Sequence, residues 1–475
     1  ASAFQAAPCA IDGISAEAEA KLGVQCGWVS VPRLASEPEG KQIRLWTARI
    51  KATGTAKPDP ILYINGGPGI ATVDSVVPNL ESSKSLTAMR SDRDIILFDQ
   101  RGSGRSEESL CPELGKQLTA MESEGLSPAA EADRARQLFV ACRQSLEQAG
   151  VTLDAYTTRA TVADMDRLRH AFGVEKWNLL SVSYGSLVAL DAMRTTPGSV
   201  RSAILNSPFP PNSVSWAEQA SITASAYAAI DRACAGQATC RERFGSLVPK
   251  LETVLARLEE QPLPDGDRKI TGRLFATALW PLAVQSGTVR FVPLAIDRAH
   301  SGDTEVIKGL VRTFADGNSF GSYSPAQSYA IGCHESGRTA VWYQRARALY
   351  PSLVSATPDD SWDKNCAAYR PGFADASFFA PVASDIPTLL YAGSLDAATP
   401  VVDGYQAMRF LSRATLVEVP DASHAPLGKD ECTRGIAMAF LARPEEALDL
   451  GCMGKRTPME FAQDGLAELF APAKK

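Results

Sequence analysis

Six short apolar runs, each breaking on a loop of small and polar residues, constrain this chain more than any other feature. They are "PILYINGGPG" (60–69), "RDIILFDQRGSGRS" (93–106), "EKWNLLSVS" (175–183), "VRSAILNSPFPP" (200–211), "IPTLLYAGSLDAATP" (386–400) and "ATLVEVPDASHAP" (414–426). Runs this short and this uniformly apolar read as strands buried on both faces. Helical patterns lie between them. In "TTRATVADMDRLRHAFG" (157–173), Val162, Met165, Leu168 and Phe172 share one face, Thr161 with Asp164 resembles a capping box, and Gly173 is a C-terminal stop. Strands alternating with helices predict a mostly parallel central sheet flanked by helices. Ahead of them, residues 27–50 alternate polar and apolar about a Gly/Pro-rich break, which predicts an opening hairpin.

The alternation stops between about residues 212 and 380. This stretch is mostly helical in pattern and holds four of the seven tryptophans, Trp216, Trp280, Trp342 and Trp362. The economical reading is a core made of residues 1–211 and 381–475, interrupted by a helical cap at 212–380. A chain of 475 residues is long enough for both. Its net charge of −6 comes from mixed signs with no basic stripe, so no nucleic-acid partner is expected. The longest apolar stretches, such as "FATALWPLAV" (275–284), reach only about half the ~20 residues of a membrane span.

Ten cysteines form no C-x-x-C, and only His334 adjoins one, so zinc-type spacing is absent. Their number is even and they fall into sequence-neighbour pairs: Cys9–Cys26, Cys111–Cys142, Cys234–Cys240, Cys333–Cys366 and Cys432–Cys452. That usage predicts five disulfides and an oxidising compartment, secreted or periplasmic. The opening "ASAFQAAPCA" has the small-x-small pattern found around a signal-peptide cleavage site, and reads as the mature end of an exported chain.

The stretch "NLLSVSYGSL" (178–187) holds three serine hydroxyls, Ser181, Ser183 and Ser186, where a strand gives way to a loop. Only Ser183 has small residues two before and two after it, Ser181 and Gly185, with a strand before and a helix after. This S-x-S-x-G resembles the nucleophile turn of an α/β-hydrolase. A serine nucleophile needs a base, and the base needs an acid to fix its tautomer. Of the four histidines, His170 lies in a helix before the serine, His300 ends a cap helix, and His334 adjoins a cysteine. His424 alone follows a late strand. Asp396, in the Gly-bounded loop after the preceding strand, is the expected acid; Asp421, three residues before His424, is the competitor. An oxyanion hole needs two backbone N–H groups. Tyr184, next after the nucleophile, supplies one, and Gly67 in "NGGPG" the other, with Gly66 its neighbour.

Taken in order, "NGGPG", "DQRGSGRS", "SVSYGS", "GSLDAATP" and "DASHAP" resemble the prolyl aminopeptidase family of serine peptidases, and within it the secreted tripeptidyl-aminopeptidase-like branch. The resemblance spans about residues 25–455. It implies an α/β-hydrolase fold with a helical cap inserted after the sixth core strand, and the triad Ser183, Asp396 and His424. It also implies an acid from the cap that holds the substrate's α-ammonium. Glu335, two residues past Cys333 in "SYAIGCHES", is the candidate, and Glu218 a weaker one. Asn65 stands where the family's loop often has histidine, and Ser181 where it usually has glycine. The expected function is removal of one or a few residues from peptide N-termini through an acyl-enzyme. The alternatives are an esterase or amidase acting on a small non-peptide molecule with the same triad, and a non-catalytic binding protein. No metal or organic cofactor is implied.

Overall fold

The computed structural model describes residues 3–122, 124–213, 219–316, 322–336, 348, 350–356 and 359–470. Among the described residues nine strands form one sheet: β1 (Gln5–Ala7), β2 (Val24–Pro32), β3 (Gln42–Ile50), β4 (Ile61–Ile64), β5 (Ile95–Phe98), β6 (Trp177–Val182), β7 (Val200–Asn206), β10 (Thr388–Gly393) and β11 (Ala414–Val419). Their order is β1-β2-β3-β5-β4-β6-β7-β10-β11. The first four pair antiparallel; from β5 onward every neighbour is parallel.

The uniform apolarity of the central runs has a direct cause in this layout. On one face Leu62, Ile96, Leu179, Leu205 and Leu390 pack with Leu168 and Val188 of the covering helices. On the other, Ile61, Ile95, Leu180, Ile204 and Leu389 pack with Val73, Met89 and Phe440. Each such fully buried side chain contributes roughly 1.5–3 kcal/mol of transfer free energy, and neither face can be wet.

Setting the short edge strand β1 aside, β7 is the sixth strand of the sheet in chain order, and the insertion follows it. The insertion has its own apolar core. Leu251, Val254 and Leu258 from helix Leu247–Glu260 meet Phe275, Leu279 and Leu282 from helix Gly272–Val284. Two residues beside the candidate acid, Leu395 and Ala397, belong to that same cluster. The insertion also hydrogen-bonds the core at two β-bridges. Ile70 pairs with Tyr323, with Ala71 N–H donating to Ser322 O at 2.9 Å and Ser324 N–H to Gly69 O at 2.8 Å. Gln285 pairs with His424, whose N–H donates to Val284 O at 2.9 Å.

Three local features differ from the sequence reading. Residues 5–7 pair with β2 as an extra edge strand. The insertion contains a hairpin, β8 (Leu263–Asp265) with β9 (Arg268–Ile270), turning on Gly266 at φ 66°. The Asp-Gly pair in "PDGD" is a hairpin signal outweighed by the helical sequence around it. Helix Thr158–Ala171 is capped by Thr157, whose side chain accepts from Ala160 N–H at 3.1 Å, not by Thr161 and Asp164. Those two are buried inside the helix, where Asp164 pairs with Arg101.

All ten cysteines are bonded, as Cys9–Cys26, Cys111–Cys142, Cys234–Cys240, Cys333–Cys366 and Cys432–Cys452. No helix among the described residues is long and apolar enough to cross a membrane.

Candidate active site

Ser183 sits between the end of β6 and the start of helix Tyr184–Thr195, half-buried, with φ 56° and ψ −129°. That backbone is strained for a residue with a Cβ. The strain is held by packing on both sides. A Cβ on Gly185 would lie 2.2 Å from Ile64 O, and one on Gly66 would lie 2.9 Å from Ser183 Cβ, so only glycine allows the turn to sit this close to its neighbours. The flanking hydroxyls are spent on structure. Ser181 Oγ donates to Ile204 O at 3.1 Å, and Ser186 Oγ donates to Ser183 O at 2.5 Å.

His424 follows β11 on a turn whose next residue, Ala425, has φ 56°. Its Nδ1 lies 2.8 Å from Asp396 Oδ2 and 3.0 Å from Oδ1. The Asp396 side chain is fully buried and that of His424 is 13% exposed. Asp396 follows β10 and is surrounded by donors. Ala398 N–H and Thr399 N–H donate to Oδ1 at 2.8 and 2.9 Å, and Ser207 Oγ and Thr399 Oγ1 donate to Oδ2 at 2.9 and 3.1 Å. Burial alone would raise this acid, yet it is held below the usual carboxylate range by His424 and these hydrogen bonds. An ionised carboxylate fixed on Nδ1 leaves the other ring nitrogen as the proton acceptor. The competitor is committed elsewhere: Asp421 takes Arg456 at 3.0 Å and Met459 N–H at 2.5 Å.

The oxyanion candidates come from two loops. Tyr184 is the first residue of its helix, so its N–H has no intrahelical acceptor. In the loop after β4, Gly66 N–H donates to Asn65 Oδ1 at 2.8 Å, while among the described residues Gly67 N–H has no hydrogen-bond partner. The loop is braced from below. Asp99 accepts from Thr72 N–H, Val73 N–H and Arg105 N–H at 2.7, 2.9 and 2.9 Å, and Gln100 Nε2 donates to Asn65 O at 3.1 Å. This accounts for the "DQRGSGRS" segment as support for the loop.

Glu335 ends helix Pro325–Glu335 and is 4% exposed, so it is not a solvated surface glutamate. Its oxygens accept from Thr158 N–H and Thr158 Oγ1 at 2.7 and 2.6 Å, and Thr158 Oγ1 also lies 2.8 Å from Tyr184 Oη. Burial pushes the acid up to about 8. The other candidate, Glu218, lies outside the described residues, as do Trp216 and Trp342. His170 pairs with Asp166 on the surface, His300 closes helix Val292–His300, and His334 Nδ1 meets Gly372 O, all away from Ser183.

Sequence reading missed the junction that joins these parts. Asn206 and Ser207, at the end of β7, touch the loops of Ser183, Asp396 and His424 alike. Ser183 N–H donates to Asn206 O at 2.9 Å, Leu427 N–H to Asn206 Oδ1 at 3.1 Å, and Ala425 N–H to Ser207 Oγ at 2.8 Å. The signal was a polar Asn-Ser pair closing an apolar strand. Thr399 was missed too, although Asp followed by Thr three residues later is capping spacing.

Residues 59–229 match the family model described as alpha/beta hydrolase fold, and residues 354–452 match the one described as TAP-like protein. The first match includes Ser183 and the glycine loop; the second includes Asp396 and His424. A tripeptidyl aminopeptidase of Streptomyces coelicolor is 33% identical over 196 residues, 40% of this chain and 36% of that protein. Serine protease Hip1 of Mycobacterium bovis is 25% identical over 196 residues, 40% of this chain and 37% of that protein. The chain thus spans about a third of the length of the curated relatives it matches. Among solved structures, proline iminopeptidase of Mycobacterium smegmatis superposes with TM-score 0.39 at 16% identity, covering 88% of this chain and 98% of that one.

Proposed function

We infer that this α/β hydrolase, which its family matches and relatives put in an aminopeptidase-like branch, is a serine exopeptidase that releases short pieces from peptide N-termini. The observation that carries the reading is the His424 Nδ1–Asp396 pair at 2.8 Å, tied through Asn206 and Ser207 to a strained Ser183.

In this reading Ser183 Oγ attacks the scissile carbonyl while His424 takes its proton. The oxyanion that forms is met by the N–H groups of Gly67 and Tyr184, and collapse expels the amine, to which His424 returns the proton. Water then repeats the sequence on the acyl-enzyme. Asp396 stays ionised and holds the imidazole tautomer. The insertion, residues 212–380, roofs the site and restricts it to chain ends. Glu335 is the acid proposed to meet the substrate's α-ammonium: a buried carboxyl that favours its neutral form while unpaired is charged most favourably beside an arriving cation. Five disulfides support an oxidising compartment for the working protein, outside the cell or in the periplasm.

A panel of amino-acid and tripeptide anilides, their N-blocked versions and simple acyl esters tests the reading. Cleavage that requires a free amine is expected. Equal turnover of blocked and free substrates would replace the aminopeptidase by an esterase or amidase, and inertness toward all would leave a binding protein.

A further inference from the structure

Thr399 Oγ1 bridges Asp396 Oδ2 and His424 Nδ1 from within the Asp396 loop. Ser207, from the end of a different strand, hydrogen-bonds both Asp396 Oδ2 and the His424 loop, and its backbone conformation is one that glycine adopts more easily, with φ 63°. We propose that Ser207 is a positioning residue of the hydrolytic site, an orienter that locks Asp396 to the His424 loop. The proposal rests on the triad reading above.

The direction of its hydroxyl is fixed by its partners. Ala425 N–H can only donate, so at 2.8 Å it occupies a lone pair of Ser207 Oγ. The ionised carboxylate of Asp396 can only accept, so at 2.9 Å it receives the single hydroxyl proton. The hydroxyl thus transmits the position of the residue after the candidate base to the oxygen that faces Nδ1. Its own backbone is anchored in the sheet, where Ser207 N–H donates to Tyr391 O at 2.8 Å. The preceding residue carries Ser183: Asn206 O accepts the Ser183 N–H. One dipeptide at the tip of β7 therefore sets the relative placement of three loops that are distant in sequence. The side chain is fully buried, so water does not replace the hydroxyl when it is removed.

The strain supplies the test. Ser207→Gly deletes the hydroxyl and relieves the backbone, so the variant should melt no earlier than the parent by more than a few degrees. Its kcat on a peptide anilide should nonetheless fall roughly 10- to 100-fold, the measure of a hydrogen bond to a charged group, with KM changed about twofold or less. The acid-side midpoint of its kcat/KM profile should move to higher pH, because a carboxylate deprived of one donor holds the imidazolium form more tightly. Ser207→Ala should repeat the kinetic change without relieving the strain. Wild-type kcat in both variants, or a kcat loss with an unmoved acid limb and a matching loss of melting temperature, overturns the positioning role while leaving the triad intact. Full activity in Ser183→Ala overturns the triad reading, and the Ser207 proposal with it.

Discussion

Glu335 gives both of its oxygens to one residue, Thr158, which donates its N–H to Oε1 and its hydroxyl to Oε2. Thr158 opens a helix, and a helix N-terminus favours a carboxylate. Burial outweighs that and pushes the acid from 4.5 up to about 8. Between these values the folded chain binds more protons than the unfolded one. This group therefore makes folding less favourable as pH rises, by at most about 1.4 kcal/mol per pH unit. Glu335→Gln removes the dependence, so its unfolding free energy relative to the parent should improve from about pH 5 to about pH 8. Denaturant melts at both pH values check this; an unchanged difference rejects the shifted acid.

The same substitution separates substrate classes. If Glu335 meets an α-ammonium, Glu335→Gln should lower kcat/KM for free-amine peptides roughly 10- to 150-fold. Hydrolysis of a small neutral ester should hardly change. Equal losses on both substrates would mean general damage through Thr158 and Tyr184, and no loss on either would remove Glu335 from recognition.

Replacing the proposed nucleophile isolates the chemistry. Ser183→Ala should retain the fold and lose activity by about 10³-fold or more, whereas Ser181→Ala should cost far less. A fluorophosphonate probe followed by peptide mapping should find Ser183 modified; label on another serine contradicts the assignment.

Gly185 cannot carry a side chain. A methyl group there would meet Ile64 O at 2.2 Å, and the neighbour is sheet backbone that cannot move aside. Gly185→Ala should cost about 3 kcal/mol or more of stability, together with activity, as read by thermal melting and anilide turnover. A folded, active variant would show that the turn is looser than described.

The Cys333–Cys366 bridge fastens helix Pro325–Glu335, which carries Glu335, to helix Asp359–Tyr369 across a sequence separation of 33. Replacing both cysteines by serine should cost roughly 2–4 kcal/mol and weaken discrimination for a free amine more than ester turnover. Loss of both activities in proportion would assign the bridge to stability alone.

The parts of this molecule legible in its sequence are those set by local periodicity. Buried strands such as "ILYI" and "TLLYAG" and the tight loops after them announce themselves through apolar runs and glycines. The neighbour pairs of cysteines were visible for the same reason. What stayed hidden depends on long-range contact. Asn206 and Ser207 look like ordinary turn residues until the strand order puts β7 between β6 and β10. The burial of Glu335 needs Thr158, 177 positions away, and nothing in "GCHES" signals it. The capping error had another origin. Thr157 and Thr161 are both plausible caps, and the choice fell to which of them leaves the helix for extended backbone, as Thr157 does at ψ 162°.

The two β-bridges between insertion and core bear on how such a protein can be redesigned. One holds the residues just after the glycine loop, through Ser322 and Ser324; the other holds His424 itself, through Val284. A cap joined in this way is not an exchangeable cassette. A chimera that imports the insertion from a relative replaces the partners at both bridges, and so shifts the glycine loop and His424 along with it. Crossover points that keep 284–286 and 322–324 native, and vary only the sequence between and around them, leave the glycine loop and His424 on their present partners.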